Sequence, residues 1–423
     1  MVIRLKHRSQ NERLVWFLLL GPFAIAPLMQ FAGLPGAIKY LFDIVWVFLL
    51  VTMIFRKKRA ISGDAKFLLW WIIVFFVFTL VNYTARFQSP FYYLWGFRNN
   101  FRGYVLFFAV IYYFDEENAE EALSLFDKMF YVNAVLMFVQ FFALGYKQDN
   151  LGGIFGVESG CNGYVNLFFC IMTVINYVRY SRSGQSFKKM ALNIVLMLVL
   201  AAMAELKFYY VEFVVLMLLG ALVTRFSWKK LVIIIAGGVA FIIGYRVFIS
   251  VFPDIDLSIS GLFEYASSTK GYTSSGDLNR LSFFSTVNSK LLPTLPDRIF
   301  GLGLGNCDYA TGVELLSTPF YHKYEWMHYG WMSTTFMYLE NGMIGLMAFF
   351  GFFIMIMLYA VRMKNHGGTN PVFCEIAALC AVAAVMNGIY NISLRIESEY
   401  MMYFILAIPW CASKKSSIVN GDN

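Results

Sequence analysis

Residues 67–83 read FLLWWIIVFFVFTLVNY, a run of aromatic and aliphatic residues that carries no charge. A helix on the surface of a water-soluble domain would break such a run with polar residues on one side. A bilayer core needs roughly 20 apolar residues per helix, so this stretch reads as a membrane span. Similar runs tile most of the chain, at 14–34, 38–55, 97–114, 128–145, 162–178, 190–204, 208–224, 231–251, 343–361, 371–390 and 399–412. The expectation is an all-α polytopic membrane protein with about 12 transmembrane helices. Composition agrees: of 423 residues, 59% are hydrophobic and only 14% are charged, against roughly 25% charged in a soluble domain.

Two boundaries need separate treatment. Residues 190–224 are too long for one span, and Glu205-Leu206-Lys207 at their middle predicts a tight turn. Residues 331–361 also exceed a span, so a break is expected at Glu340-Asn341-Gly342. The first run, 14–34, lacks a small-x-small cleavage site and reads as an anchor.

The net charge of +8 does not point to nucleic acid, because the basic residues gather in short links between apolar runs. Arg56-Lys57-Lys58-Arg59, the Arg179–Lys189 region, Arg225 with Lys229 and Lys230, and Lys414-Lys415 all fall on one side of an alternating topology. The positive-inside rule then places both termini in the cytoplasm. The chain divides into a bundle of helices 1–9 (1–251), an extracytoplasmic cap loop (252–342) and helices 10–12 with a cytoplasmic tail (343–423). The loop is rich in Gly and Pro yet also in aromatics such as Phe283 and Trp326, so it reads as folded and not as a disordered tether. The six cysteines show no metal-ligand spacing; Cys161 and Cys307 share the external side, where a disulfide is one reading and packed or free thiols the preferred one.

Charges inside spans are costly and mark sites. Most of them, Asp43, Glu205, Lys207, Glu212, Arg246 and Glu340, fall toward the outer leaflet, with Glu375 the exception near the inner end of its span, which predicts a cavity open to the external face. A transporter would instead gather polar groups near the midplane.

The order of several short stretches sharpens the reading. Ser275-Gly276-Asp277-Leu278-Asn279-Arg280 precedes Phe300-Gly301-Leu302-Gly303-Leu304-Gly305; GGIFGVESGCNGYVNL fills 152–167; His328 precedes LENGMIGL at 339–346. Together with the long late loop, this series resembles the O-antigen ligase and polymerase superfamily. The resemblance implies a GT-C-like bundle with its large extracytoplasmic loop between helices 9 and 10, in a bacterial cytoplasmic (inner) membrane. It implies a metal-independent glycosyltransferase, with no cofactor, that takes a polyprenyl-diphosphate-linked oligosaccharide as donor. Further partners would be membrane lipid, a chain-length regulator and a flippase. Where the ligase branch carries its histidine this chain has Trp331, with His328 one helical turn further back. Lys207 stands where many members carry arginine, and it keeps the charge without the bidentate fork. Both departures favour the polymerase branch, which joins repeat units of O-antigen, capsule or exopolysaccharide. A ligase that delivers glycan to a terminal acceptor, or a 12-span transporter or flippase, remains the alternative.

The leaving diphosphate develops negative charge, which basic residues at the membrane rim would stabilise. On that chemistry the catalytic candidates are Arg280, His328 and Glu340, the last two able to take the proton of an acceptor hydroxyl. The diphosphate candidates are Lys207, Arg98, Arg102 and Arg246, and the glycan candidates are Glu158 and Asn162. Each has a structural alternative: a loop arginine, a hydrogen-bonded histidine, a helix hinge at Glu340, or residues that only shape a Gly-rich loop. No metal site is expected; the lone Asp254-Ile255-Asp256 is too common a pattern to imply one.

Overall fold

The structure is a computed structural model that describes residues 8–55, 61–224, 276–280, 282–310, 312–367 and 369–411, with 238, 239, 242 and 246 isolated. The expected span 231–251, the first part of the cap loop and Asp254-Ile255-Asp256 therefore lie almost wholly outside the described residues. Among the described residues there are 14 α-helices and no sheet. Six helical segments are long and apolar enough to cross a membrane: Gln10–Phe31, Gly36–Phe55, Gly63–Ala85, Glu116–Phe142, Ser333–His366 and Pro371–Tyr390. The chain is a multi-pass membrane protein.

The opening stretch lies in α3 (Gly63–Ala85). One stripe of it, Leu68, Ile72, Phe75 and Thr79, is buried, while Trp70, Val74, Val77 and Val81 are exposed on the opposite side. Both stripes are apolar because one meets protein and the other meets lipid, which removes the polar face a soluble helix would need. The same logic covers α1 (Gln10–Ala26), α2 (Tyr40–Phe55) and α5 (Glu116–Phe142). Their ends follow from the sequence. Ser9 with Glu12 closes a capping box on α1, Ser62 caps α3, and Asp115 caps α5.

α4 (Pro90–Tyr113) is longer than the expected 97–114, because Ser89 caps it and Pro90 starts its first turn. It and α6 (Asn162–Ser181) are buried over most of their length, so they form the centre of the bundle. α7 (Phe187–Met203) and α8 (Lys207–Val223) are separate helices. The turn between them, where it was expected, holds Glu205 in the left-handed region at φ 56°. In α12 (Ser333–His366) the expected break is present at Gly342, whose φ of 61° leaves the helical region. A Cβ there would lie 2.3 Å from the Ile299 carbonyl oxygen, so the close approach also requires glycine.

α14 (Glu399–Ala407) differs from the expected span 399–412. It has nine residues, all buried, and is followed by a single 3-10 turn at Ile408–Trp410. Nine residues extend about 14 Å, under half of a bilayer core of about 30 Å. α14 begins beside Arg102, in the middle of α4, because residues 391–398 descend from α13 (Pro371–Tyr390) into the bundle before the helix starts.

Contacts join like ends of the helices. At one end Arg8 meets Glu121 at 2.6 Å, Asp127 binds Arg179 and Lys189, and Glu375 binds Arg182. At the other, Arg86 meets Asp297 at 2.7 Å and the Gln30 side chain accepts from the Val157 amide. That second end carries α9 (Phe283–Lys290), α10 (Leu295–Phe300) and α11 (Pro319–Tyr324). The segment is folded onto the bundle: the Leu302 and Gly303 amides donate to the Leu339 and Glu340 carbonyls, and Asn82 donates to the Phe300 carbonyl. We call this the cap end.

Candidate functional site

Among the described residues, two polar cavities lie at the cap end. The larger, about 670 Å³, is lined by Lys39, Tyr40, Trp95, Arg98, Asn99, Arg102, Glu158, Asp308, Tyr309, Phe336, Arg395 and Glu397, among others. The smaller, about 350 Å³, is lined by Asp149, Asn162, Asn166, Glu205, Lys207, Arg280, Trp331, Tyr390 and Asn391, among others. Ile392 and Ile396 line both. The descending loop 391–398 is therefore the partition between them.

Sequence candidates from distant parts of the chain meet here. Arg280 and Lys207, one from the cap and one from the α7–α8 turn, face the smaller cavity with Asn162. Arg280 lies over the Tyr390 ring at 4.4 Å and donates to its carbonyl at 2.8 Å. Lys207 is 2.8 Å from Glu205, and Asn162 donates to Asp149. Arg98, Arg102 and Glu158 line the larger cavity. Arg246 is exposed and lines neither cavity.

His328 and Glu340 are not brought together. Glu340 is fully buried under the wall of the larger cavity, with its carboxylate 3.7 Å from Arg395. His328 sits in the cap in a left-handed conformation, φ 48°. Its Nδ1 is 2.5 Å from Asp277 Oδ1, and its ring stacks at 4.3 Å on Trp331, a wall of the smaller cavity.

The wall of the larger cavity is an ion-pair network. Arg98 Nε donates to both Asp43 oxygens at 3.0 and 2.9 Å. Arg102, 1% exposed, donates to Glu399 at 2.5 Å and to Glu397 at 3.4 Å, and also to the Arg395 carbonyl. Arg395 Nη2 is 2.7 Å from Asp308, which also accepts from Asn99 at 2.9 Å. Charges this deep persist only when paired. Burial pushes the Glu397 carboxyl up, but Arg102, Lys39 and Arg98 outweigh it and hold it down at about 2. Burial, followed by Glu340 and Asp308 nearby, pushes the Cys307 thiol up. Cys307 and Cys161 are both free, so they form no disulfide.

Arg395, Glu397, Glu399 and Asp308 were not among the residues singled out in the sequence. A signal existed: SLRIESE at 393–399 places three charges between two apolar runs. Hydropathy alone reads that run as an ordinary rim loop. Asp277 was legible only as part of the run before Arg280, not as a partner of His328. Among the described residues no group of three or more His, Cys, Asp or Glu side chains could hold a metal ion.

A third, apolar cavity of about 390 Å³ lies between α2, α3 and α4, lined by residues such as Leu50, Ile72, Phe76, Phe97, Phe101 and Tyr112. Phe97 and Phe101 face it, while their neighbours Arg98 and Arg102 face the larger polar cavity. No protein-family model matches the chain, and no curated protein matches it.

Proposed function

We propose that the chain is a polymerase for surface polysaccharide, acting at the outer face of a bacterial cytoplasmic membrane within a GT-C-like bundle of about twelve spans. It would transfer a growing glycan from a polyprenyl diphosphate to the next lipid-linked repeat unit. The observation that carries this reading is the pair of polar cavities at one membrane end, with Ile392 and Ile396 of the loop 391–398 lining both. A reaction between two lipid-linked glycans needs two adjoining hydrophilic sites at the rim, and a single-substrate carrier does not.

The chemistry is a displacement at the anomeric carbon. The acceptor hydroxyl oxygen bonds to that carbon, the carbon–oxygen bond to the diphosphate breaks with its electron pair, and the hydroxyl proton passes to a base. Arg280 and Lys207 on the smaller cavity would meet the diphosphate charge. His328, oriented by Asp277 and stacked on the wall residue Trp331, would take the proton. The apolar cavity beside α4 suits a lipid chain.

The product of a gene deletion tests the proposal. Loss of a polymerase leaves single repeat units on the acceptor, whereas loss of a ligase leaves unattached long chains. Purified protein in liposomes that moves a lipid-linked oligosaccharide across the bilayer without elongating it would rule the polymerase out in favour of a flippase.

A further inference from the structure

Arg280 and Lys207 reach the smaller cavity from distant parts of the chain, yet one aromatic pair underlies both. Phe208, the residue after Lys207 in the first turn of α8, stacks on Tyr390 with ring centroids 4.5 Å apart and planes 15° from parallel. The Arg280 guanidinium carbon lies 4.4 Å over the same Tyr390 ring. Phe208 covers one face of that ring, so the guanidinium takes the other. The layers therefore run Phe208, Tyr390, Arg280, with Lys207 carried at the Phe208 end.

The place of Tyr390 in the chain adds a second hold. It is the last residue of α13, where carbonyls have no partner within the helix. Its carbonyl accepts from Arg280 Nε at 2.8 Å, and the helix dipole favours a cation at this end. A guanidinium held by both a ring face and a carbonyl keeps one orientation, whereas a loop arginine alone samples many rotamers.

Tyr390 is itself fixed against α8. Asn387, three residues before it, donates to Glu212 at 2.9 Å, and Glu212 stands four residues after Phe208. Residues three or four apart share a helix face, so the stack and the hydrogen bond are two rungs of one α8–α13 seam. Asn166 of α6 joins the lower rung, donating to Glu212 at 2.8 Å. Glu212 and Asn387 are both fully buried, which leaves the seam little room to slide.

We propose that Tyr390 is a positioning residue: clamped by Phe208, it holds Arg280 and Lys207 at a fixed spacing and so preorganises the smaller cavity for a lipid diphosphate. This rests on the polymerase reading for its ligand. Tyr390 acts through the two cations and not on the reacting atoms.

The test uses the full-length protein in lipid nanodiscs and two probes, undecaprenyl diphosphate and uncharged undecaprenol. Retention is read by native mass spectrometry and folding by melting temperature. The wild type should retain the diphosphate at least about tenfold more tightly than the alcohol. Tyr390→Leu keeps apolar bulk but removes the ring face, and should lower diphosphate retention about tenfold. Its undecaprenol retention and melting temperature should stay near wild type. Tyr390→Phe keeps the ring and should restore the diphosphate preference. A ring that only packs would lower retention of both probes together in folded Tyr390→Leu, which overturns the proposal. So does a preference that survives Tyr390→Leu, or its absence in the wild type. If Tyr390→Leu does not fold, Phe208→Leu decides: a reduced preference with undecaprenol unchanged supports the clamp, and an unchanged preference overturns it. The clamp and the polymerase reading fail separately. A Tyr390-dependent preference without elongation in liposomes sinks the polymerase and leaves the clamp; wild-type elongation by Tyr390→Leu does the reverse.

Discussion

His328 Nδ1 lies 2.5 Å from Asp277 Oδ1, across 51 residues of sequence. The Asp277 side chain is fully buried while the imidazole is 42% exposed, so the acid is placed to orient the ring and the ring to meet solvent or substrate. A positioned base contributes roughly 10²–10⁴-fold to such a transfer. His328→Ala should therefore lower elongation by about 100-fold or more. Asp277→Asn should lower it less and change kcat with little change in KM. Wild-type chain length in His328→Ala membranes would remove the histidine from the reaction.

Arg280 faces the smaller cavity from the cap, stacked on Tyr390. On the polymerase reading its charge, with that of Lys207, would meet the leaving diphosphate. Arg280→Ala should abolish long chains, a loss of about 10²–10³ in rate, while the amount of protein in the membrane stays unchanged. Gel analysis of polysaccharide with a parallel immunoblot separates the two effects.

Glu397 gives a pH signature. Its folded carboxyl is held at about 2 against an ordinary 4.5, so the folded state binds fewer protons than the unfolded one in that window. The stability it contributes is fully present above pH 4.5 and is lost as the pH falls toward 2. Glu397→Gln should flatten that part of the curve of melting temperature against pH. It should also cost about 3 kcal/mol near neutrality, because Arg102 loses one of its buried partners. An unchanged acid limb would refute the linkage.

Gly305 locks the cap to α4. Its φ is +81°, and a Cβ there would lie 1.8 Å from the Tyr92 carbonyl oxygen. Gly305→Ala must push this segment off α4 and carry Asp308 away from Arg395. The expected result is a lower melting temperature and a loss of elongation together, with Gly312→Ala, also at positive φ but with nothing within 4 Å, as the milder control.

The two ends of the bundle should differ in accessibility. Glu314→Cys, at an exposed position in the cap, should react with an impermeant maleimide in intact cells. Lys188→Cys, exposed in the first turn of α7 at the opposite end, should react only after permeabilisation. The reverse pattern would invert the topology.

Much of the fold was legible because its causes are local. Continuous apolar runs specify membrane helices whatever they pack against, since the lipid face and the protein face make the same demand. Gly342 and the Glu205 turn were legible from run lengths that exceed a bilayer. The site was legible in part: Arg280, Lys207 and Asn162 do share a cavity, as do Arg98, Arg102 and Glu158. α14 misled, because hydropathy counts apolar residues and does not register that the chain before it has already descended beside α4.

The sequence by itself therefore determined a helical membrane protein, most of its turns, and which residue types were available for chemistry. Tertiary structure alone decided which charges meet. Arg102 binds Glu399 across 297 residues and Arg395 binds Asp308 across 87, and nothing local distinguishes those side chains from charges that reach the rim. The reason is physical: helix formation and membrane insertion depend on neighbours a few residues away. Burying a charge depends on a counter-charge that only packing delivers.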